Sequence, residues 1–143
     1  MATASAIVED IEDKLVALSL PNTVSADDGL TPVYTLEDWL ATEQDRRFVV
    51  LVTSGPQRAP SRSRCSDKIT CEVRVRYFAD RESRARMLDD VGTIRECLKG
   101  SSGVTDLVGT PAVTGPTYDY GQWAGLNAVG VKFGLEIEYH TGS

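Results

Sequence analysis

The stretch VGVKFGLEIEYH, residues 129–140, alternates without interruption: Val129, Val131, Phe133, Leu135, Ile137 and Tyr139 fall on one side, and Gly130, Lys132, Gly134, Glu136, Glu138 and His140 on the other. Side chains leave a β-strand on alternate faces, so this period of two predicts a single long strand with one buried side, about 40 Å from end to end. KITCEVRVRYF, residues 68–78, repeats the pattern, with Ile69, Cys71, Val73, Val75 and Tyr77 set against Thr70, Glu72, Arg74, Arg76 and Phe78. Two strands of this kind need a sheet whose apolar face something else covers.

Outward from these strands lie the covers. In residues 4–18, Ile7, Ile11, Leu15 and Leu18 recur at helical spacing while Glu9, Asp10, Asp13 and Lys14 take other angles, which predicts an amphipathic helix ended before Pro21. Asp80 is a natural N-cap for a second helix reaching Lys99, with Met87, Leu88, Val91, Ile94 and Leu98 as its apolar stripe and Gly100 as its stop. Thr35 and Asp38 resemble a capping box for a short helix over residues 36–42. RFVVLVT, residues 47–53, is rich in β-branched residues and predicts a central, well-buried strand stopped by Gly55 and Pro56. Residues 54–67 carry two prolines and three arginines without periodicity and are expected to form a mobile loop; another strand is expected over residues 116–120. The fold class is therefore α+β: an antiparallel four-stranded sheet with helices packed on one face, in a single domain spanning residues 1–143.

A chain of 143 residues with 41% hydrophobic and 25% charged content fits one globular core and neither a disordered nor a fibrous protein. Its longest uncharged apolar run, residues 48–52, is far short of the roughly 20 residues a spanning helix needs, so no membrane partner is expected. The first residues lack a basic flank, an apolar stretch and a cleavage site, and secretion through a signal peptide is not expected. Charge is divided unevenly. Nine basic and four acidic residues give the stretch 58–86 a charge of +5, leaving −11 for the rest of a chain whose total is −6. That asymmetry suits contact between copies of the chain better than autonomous binding of duplex DNA.

Catalytic and cofactor chemistry find little purchase. The three cysteines, Cys65, Cys71 and Cys97, have neither paired spacing nor histidines nearby, and are expected to be structural thiols. The single histidine, His140, is close to the end of the terminal strand, where a general base would be held loosely. Glu136 and Glu138 share a strand face, which admits a metal-dependent hydrolase using them with His140, but Lys132 on that face and Arg74 and Arg76 across it favour cross-strand ion pairs. Asp89 and Asp90 are adjacent and are expected on a solvated helix face. No phosphate-cradling glycine motif is present, and neither enzymatic activity nor a cofactor is expected. Arg58, Arg62 and Arg64 admit three readings, a solvated loop, docking to an acidic protein surface, or contact with nucleic acid, and the last two describe the alternative of a small cytoplasmic adaptor that binds protein or nucleic acid through this loop.

In order along the chain, CEVRVRYF, then DRESRARMLDDVGTIRECLKG, TDLV, TYDYGQW and GLEIEYHTG resemble the tail terminator family of long-tailed phages, the minor tail proteins that cap the tail tube. The resemblance covers residues 71–139; Tyr118, Asp119, Tyr120, Glu138 and Tyr139 carry it most distinctively, and the first helix and RFVVLVT agree with the family layout. It implies a structural virion protein, made in the host cytoplasm, that forms a homohexameric ring at the tail-to-head junction. Such a ring ends tube polymerisation, contacts the tail tube protein and the head connector, and lets DNA pass through its lumen without specific recognition. On this reading Arg58, Arg62, Arg64, Arg74 and Arg76 are candidates for subunit or tube contact, and Lys132, Glu136 and Glu138 for the lumen face. Another neck or head-completion protein is the alternative within the same class. The arginine-rich loop and the Gly- and Pro-punctuated stretch before Tyr118 depart from the family pattern.

Overall fold

In a computed structural model of the chain, which describes residues 3–21, 29–58, 65–100, 107–123 and 125–142, the elements run α1 (Ala4–Val16), β1 (Thr31–Pro32), α2 (Leu36–Ala41), β2 (Arg47–Arg58), β3 (Cys65–Phe78), α3 (Arg81–Lys99), β4 (Ala112–Trp123) and β5 (Leu126–Gly142). The fold is α+β. The sheet has the order β1-β2-β3-β5-β4, and its four long strands are antiparallel throughout. The expectation of four antiparallel strands needs correcting at one edge, where Thr31 and Pro32 pair in parallel with Arg47 and Phe48 and make the sheet five-stranded and mixed. A two-residue strand is too short to show a period, so nothing in the sequence pattern announces it.

The two alternating stretches became the paired centre of the sheet, with Ile69 opposite Ile137, Val73 opposite Phe133 and Val75 opposite Val131. Their apolar side, joined by Phe48 and Val50 of β2, is buried beneath Ile7, Ile11 and Leu15 of α1 and Met87, Ile94 and Leu98 of α3. Each fully buried aliphatic or aromatic side chain in such a layer contributes about 1.5–3 kcal/mol relative to exposure. The helices start where their caps allow: Thr3, Thr35 and Asp80 accept hydrogen bonds from the backbone N–H of Ala6, Asp38 and Ser83.

Placing all helices on one face requires a second correction, because α2 packs on the opposite side. Its Trp39 is buried there, donates from Nε1 to the Arg47 carbonyl at 3.1 Å, and lies 5.1 Å from the Trp123 ring with a tilt of 49°. Gly130 makes this possible, since a Cβ at that position would come within 2.9 Å of both indoles. A small second core of Trp39, Val49 and Ala128 therefore sits on the face that strand alternation marks as polar.

β2 is neither central nor buried along its length. Phe48, Val49 and Val50 are buried, but Val52 is 49% exposed and the strand remains exposed to Arg58. It runs through Gly55 and Pro56 by a bulge, and β4 runs through Gly115 and Pro116 in the same way. Both glycines have positive φ, +89° and +98°, and approach the carbonyls of Lys68 and Lys132, where a Cβ would have no room. Strand thus occupies residues 54–58 and 65–67 of the expected loop, and its remainder, with Arg62 and Arg64, lies outside the described residues.

Candidate functional site

The sheet leaves its polar face partly open, and most candidate residues collect there. Lys132 is half-buried opposite Arg74 on one side and Thr117 on the other. Glu136 is paired with Lys68 across the strands, Nζ to Oε1 at 2.6 Å, with both side chains well exposed. That contact raises the Lys68 ammonium pKa, first through the hydrogen bond and then through charge attraction. Glu136 therefore forms a cross-strand ion pair, but with Lys68 and not with the arginines expected across from it: Arg74 pairs with Glu72 of its own strand and Arg76 bonds the Trp123 carbonyl. Glu138 accepts a 2.9 Å hydrogen bond from the Ser66 hydroxyl, which is fully buried and so is not presented to a substrate in solution. His140 lies across from Ser66, and its Nδ1 has no partner among the described residues.

Between these groups and the bulged edge strands lies a shallow trough of about 350 Å³, lined by Thr53, Thr70, Glu72, Thr114 and Lys132 among others. Its hydroxyls and mixed charges can hold water and counter-ions; Cys71 also lines it, but burial pushes that thiol's pKa up to about 11, so it is not poised as a thiolate nucleophile. Among the described residues no group of three or more His, Cys, Asp or Glu side chains is arranged to hold a metal ion, and no helix is long and apolar enough to cross a membrane.

The arginines separate. Arg58 is exposed at the end of β2, in register with Asp67. Arg74 is half-buried, donates from Nε to Glu72 at 2.7 Å and holds its guanidinium 5.9 Å from the centre of the Trp39 ring, within reach of a cation–π attraction. Arg76 is fully buried, donates from Nη2 to the Trp123 carbonyl at 3.0 Å, and its Nε and Nη1 have no hydrogen-bond partner among the described residues. Burial lowers its pKa, against the attraction of Asp45 and Glu43. In the isolated subunit a partner reaches Arg58 and Arg74 but not Arg76.

Sequence reasoning missed the most tightly bonded cluster, at the opposite end of the sheet's centre. Asp90, fully buried in the middle of α3, accepts from Arg46 at both oxygens, each at 3.0 Å, and from the Tyr77 hydroxyl at 2.7 Å. Arg46 has the left-handed φ of +56°, and its Nη2 also donates to the Pro21 carbonyl at 3.1 Å. Next to it, Asp45 accepts from the Phe78 backbone at 3.1 Å and from Arg86 at 2.7 Å; burial nevertheless raises its carboxyl pKa overall. The expected solvated placement of Asp90 is thus reversed. The signal was present: Met87, Asp90, Ile94 and Leu98 share helical spacing, while Leu88, assigned to the stripe, is 55% exposed.

Both thiols with described side chains behave as packing groups. Cys71 is buried and its pKa is pushed up to about 11, while burial also raises that of half-buried Cys97. Comparison with known proteins adds no relative: no protein-family model matches the chain, and no curated protein matches it in sequence.

Proposed function

We propose that this chain is a structural subunit of a long-tailed phage, forming a ring that ends tail tube polymerisation and joins the tail to the head connector. The observation that supports the reading is the order β3, α3, β4, β5, since the segments that carry the resemblance fold into an alternating strand, a capped helix, a strand that includes TYDYGQW and a long last strand. A sheet sealed by α1 and α3 on one side and carrying mixed charge on the other suits a ring wall. Lys132, Glu136 and Glu138 on the open side then face or approach the lumen, where alternating sign lets DNA slide without tight phosphate binding. Arg58 and Arg74 serve subunit or tube contacts, together with Arg62 and Arg64, whereas Arg76 is buried against the Trp123 carbonyl and is out of reach of a partner in the isolated subunit. The subunit is made in the host cytoplasm and ends at the tail-to-head junction of the virion.

Electron microscopy of the purified protein, across a concentration series and in the presence of tail tubes, tests this. Rings, or density capping one end of a tube, are expected. Concentrated protein that neither forms rings nor touches tubes overturns the reading in favour of an adaptor that works through its arginines, for which salt-sensitive DNA binding by the subunit is the next measurement.

A further inference from the structure

We propose that the two edges of the sheet meet in trans, the β4 edge and the start of α3 in one copy seating on the distal half of β2 and on α1 of a second copy. The proposal rests on the ring reading for its geometry and identifies the surfaces that such a ring would join.

Both edges are available. Among the described residues β4 has no strand beyond it, and β1 covers only the first residues of β2, through the pairs at Arg47 and Phe48 and the Val33 N–H to the Phe48 carbonyl. β2 and β4 run in opposite directions, so their meeting would continue the antiparallel pattern. Because the two edges differ, the contact is heterologous, the type that closes rings.

The side chains beside these edges complement one another. On the helix-facing side of β4, Tyr118 and Tyr120 are 39% and 66% exposed, and Tyr120 forms one wall of a cavity of about 410 Å³ with the exposed Arg81 and Arg84 at the start of α3. Beside β2, the exposed Val52 and Pro56 form with the first turns of α1 a cavity of about 420 Å³ bordered by Glu9 and Glu12. Aromatic rings thus face an apolar recess, and two guanidinium groups face two carboxylates. The Glu12 carboxyl is held above its ordinary pKa by burial, by Asp13 and by Glu9, so a neighbouring cation would relieve it.

The register follows from β1. Tyr118 is level with Phe48 through Val131 and Val75, the position where β1 blocks the edge of β2. Sliding the second copy by six residues, roughly 20 Å, brings Tyr120 to Val52 and Gln122 and Trp123 to Val50 and Val49, past the pairs that β1 makes at Arg47 and Phe48. Such a stagger between neighbours is what closing a sheet into a barrel requires. Pro56 and Pro116 each remove one edge donor and the bulges interrupt the ladder, so the side chains, rather than an unbroken row of backbone bonds, select the partner.

Charge reversal tests the seam. Two variants are made, Arg81→Glu with Arg84→Glu, and Glu9→Arg with Glu12→Arg; Arg81, Arg84 and Glu9 are exposed and Glu12 is half-buried, and circular dichroism checks that both variants fold. Sedimentation at low salt, alone and with tail tubes, should show each variant needing at least about tenfold more protein than the wild type to associate. An equimolar mixture of the two, or one chain carrying all four changes, should recover association, because every seam again joins opposite charges. A variant that associates like the wild type, or a mixture that does not recover, overturns the seam. Tube capping that is indifferent to these changes overturns the seam and leaves the terminator reading standing. Charge-dependent self-association without tube capping supports the seam and overturns that reading. Wild-type protein that stays monomeric both alone and with tubes overturns both.

Discussion

At the scale of single residues, Asp90 is the most demanding side chain in the molecule, because it neutralises Arg46 and anchors Tyr77 in a site closed to water. Removing one member of a buried ion pair leaves the other uncompensated, at a cost of about 3–5 kcal/mol. Asp90→Ala should therefore lower the urea midpoint by that equivalent or prevent folding. Tyr77→Phe, which removes one hydrogen bond to a charged acceptor, should cost about 1.5–3 kcal/mol. A double-mutant cycle between the two should be strongly non-additive, and simple additivity would show that the network is not coupled. Gly130 makes a different demand. Gly130→Val forces branches into space held by Trp39 and Trp123, and loss of the near-ultraviolet tryptophan dichroism, with α1 and α3 still helical, is the expected signature.

At the scale of elements, the sequence was most legible where burial is one-sided and regular. β3, β5 and α1 each bury the stripe that their period indicates, since a water-facing and an oil-facing side impose alternation directly. Legibility failed where a polar side chain was buried among partners distant in sequence: Asp90 replaced Leu88 on the inner face of α3 because Arg46 and Tyr77, contributed by two other segments, satisfy it. It failed again at β2 and β4, where glycine and proline read as strand ends but form bulges inside strands. Of the candidate surface residues, Glu136 was legible as a member of a cross-strand ion pair but its partner Lys68 was not, and the burial of Arg76 depended on Trp123 closing over the polar face. These differences make α3 a direct test. Leu88→Lys should change stability by no more than about 0.5 kcal/mol, as a surface substitution does, whereas Ile94→Ala, from the buried row, should cost about 2–5 kcal/mol. Equal losses in chemical denaturation would contradict the observed orientation of the helix.

For the whole molecule, the titrating groups of the main core point to an alkaline limit. Burial raises the pKa of Cys71 to about 11, and also raises that of Tyr77, with Asp90 adding to the effect, of Cys97, and of Tyr139, with Asp67 adding. All four are therefore protonated in the folded chain at pH values where the unfolded chain has begun to lose those protons. The unfolded state then binds fewer protons than the native state, and stability falls as pH rises. The contribution of Cys71 is fully present below its unfolded value of 9.0 and is lost progressively up to about 11, which at 1.36 kcal/mol per unit amounts to about 3 kcal/mol. Because Cys71 and Tyr77 lie on β3 and Tyr139 on β5, the central pair that every other layer packs against, the loss should appear as one cooperative transition and not as local fraying. Urea midpoints measured from pH 7 to pH 11 should decline steeply above pH 9. The volume-conserving Cys71→Val variant should decline less, the gap approaching that same figure at pH 11. Parallel decline of the two proteins would mean that the thiol is already accessible to hydroxide in the native sheet, in contradiction to its burial under α1 and α3.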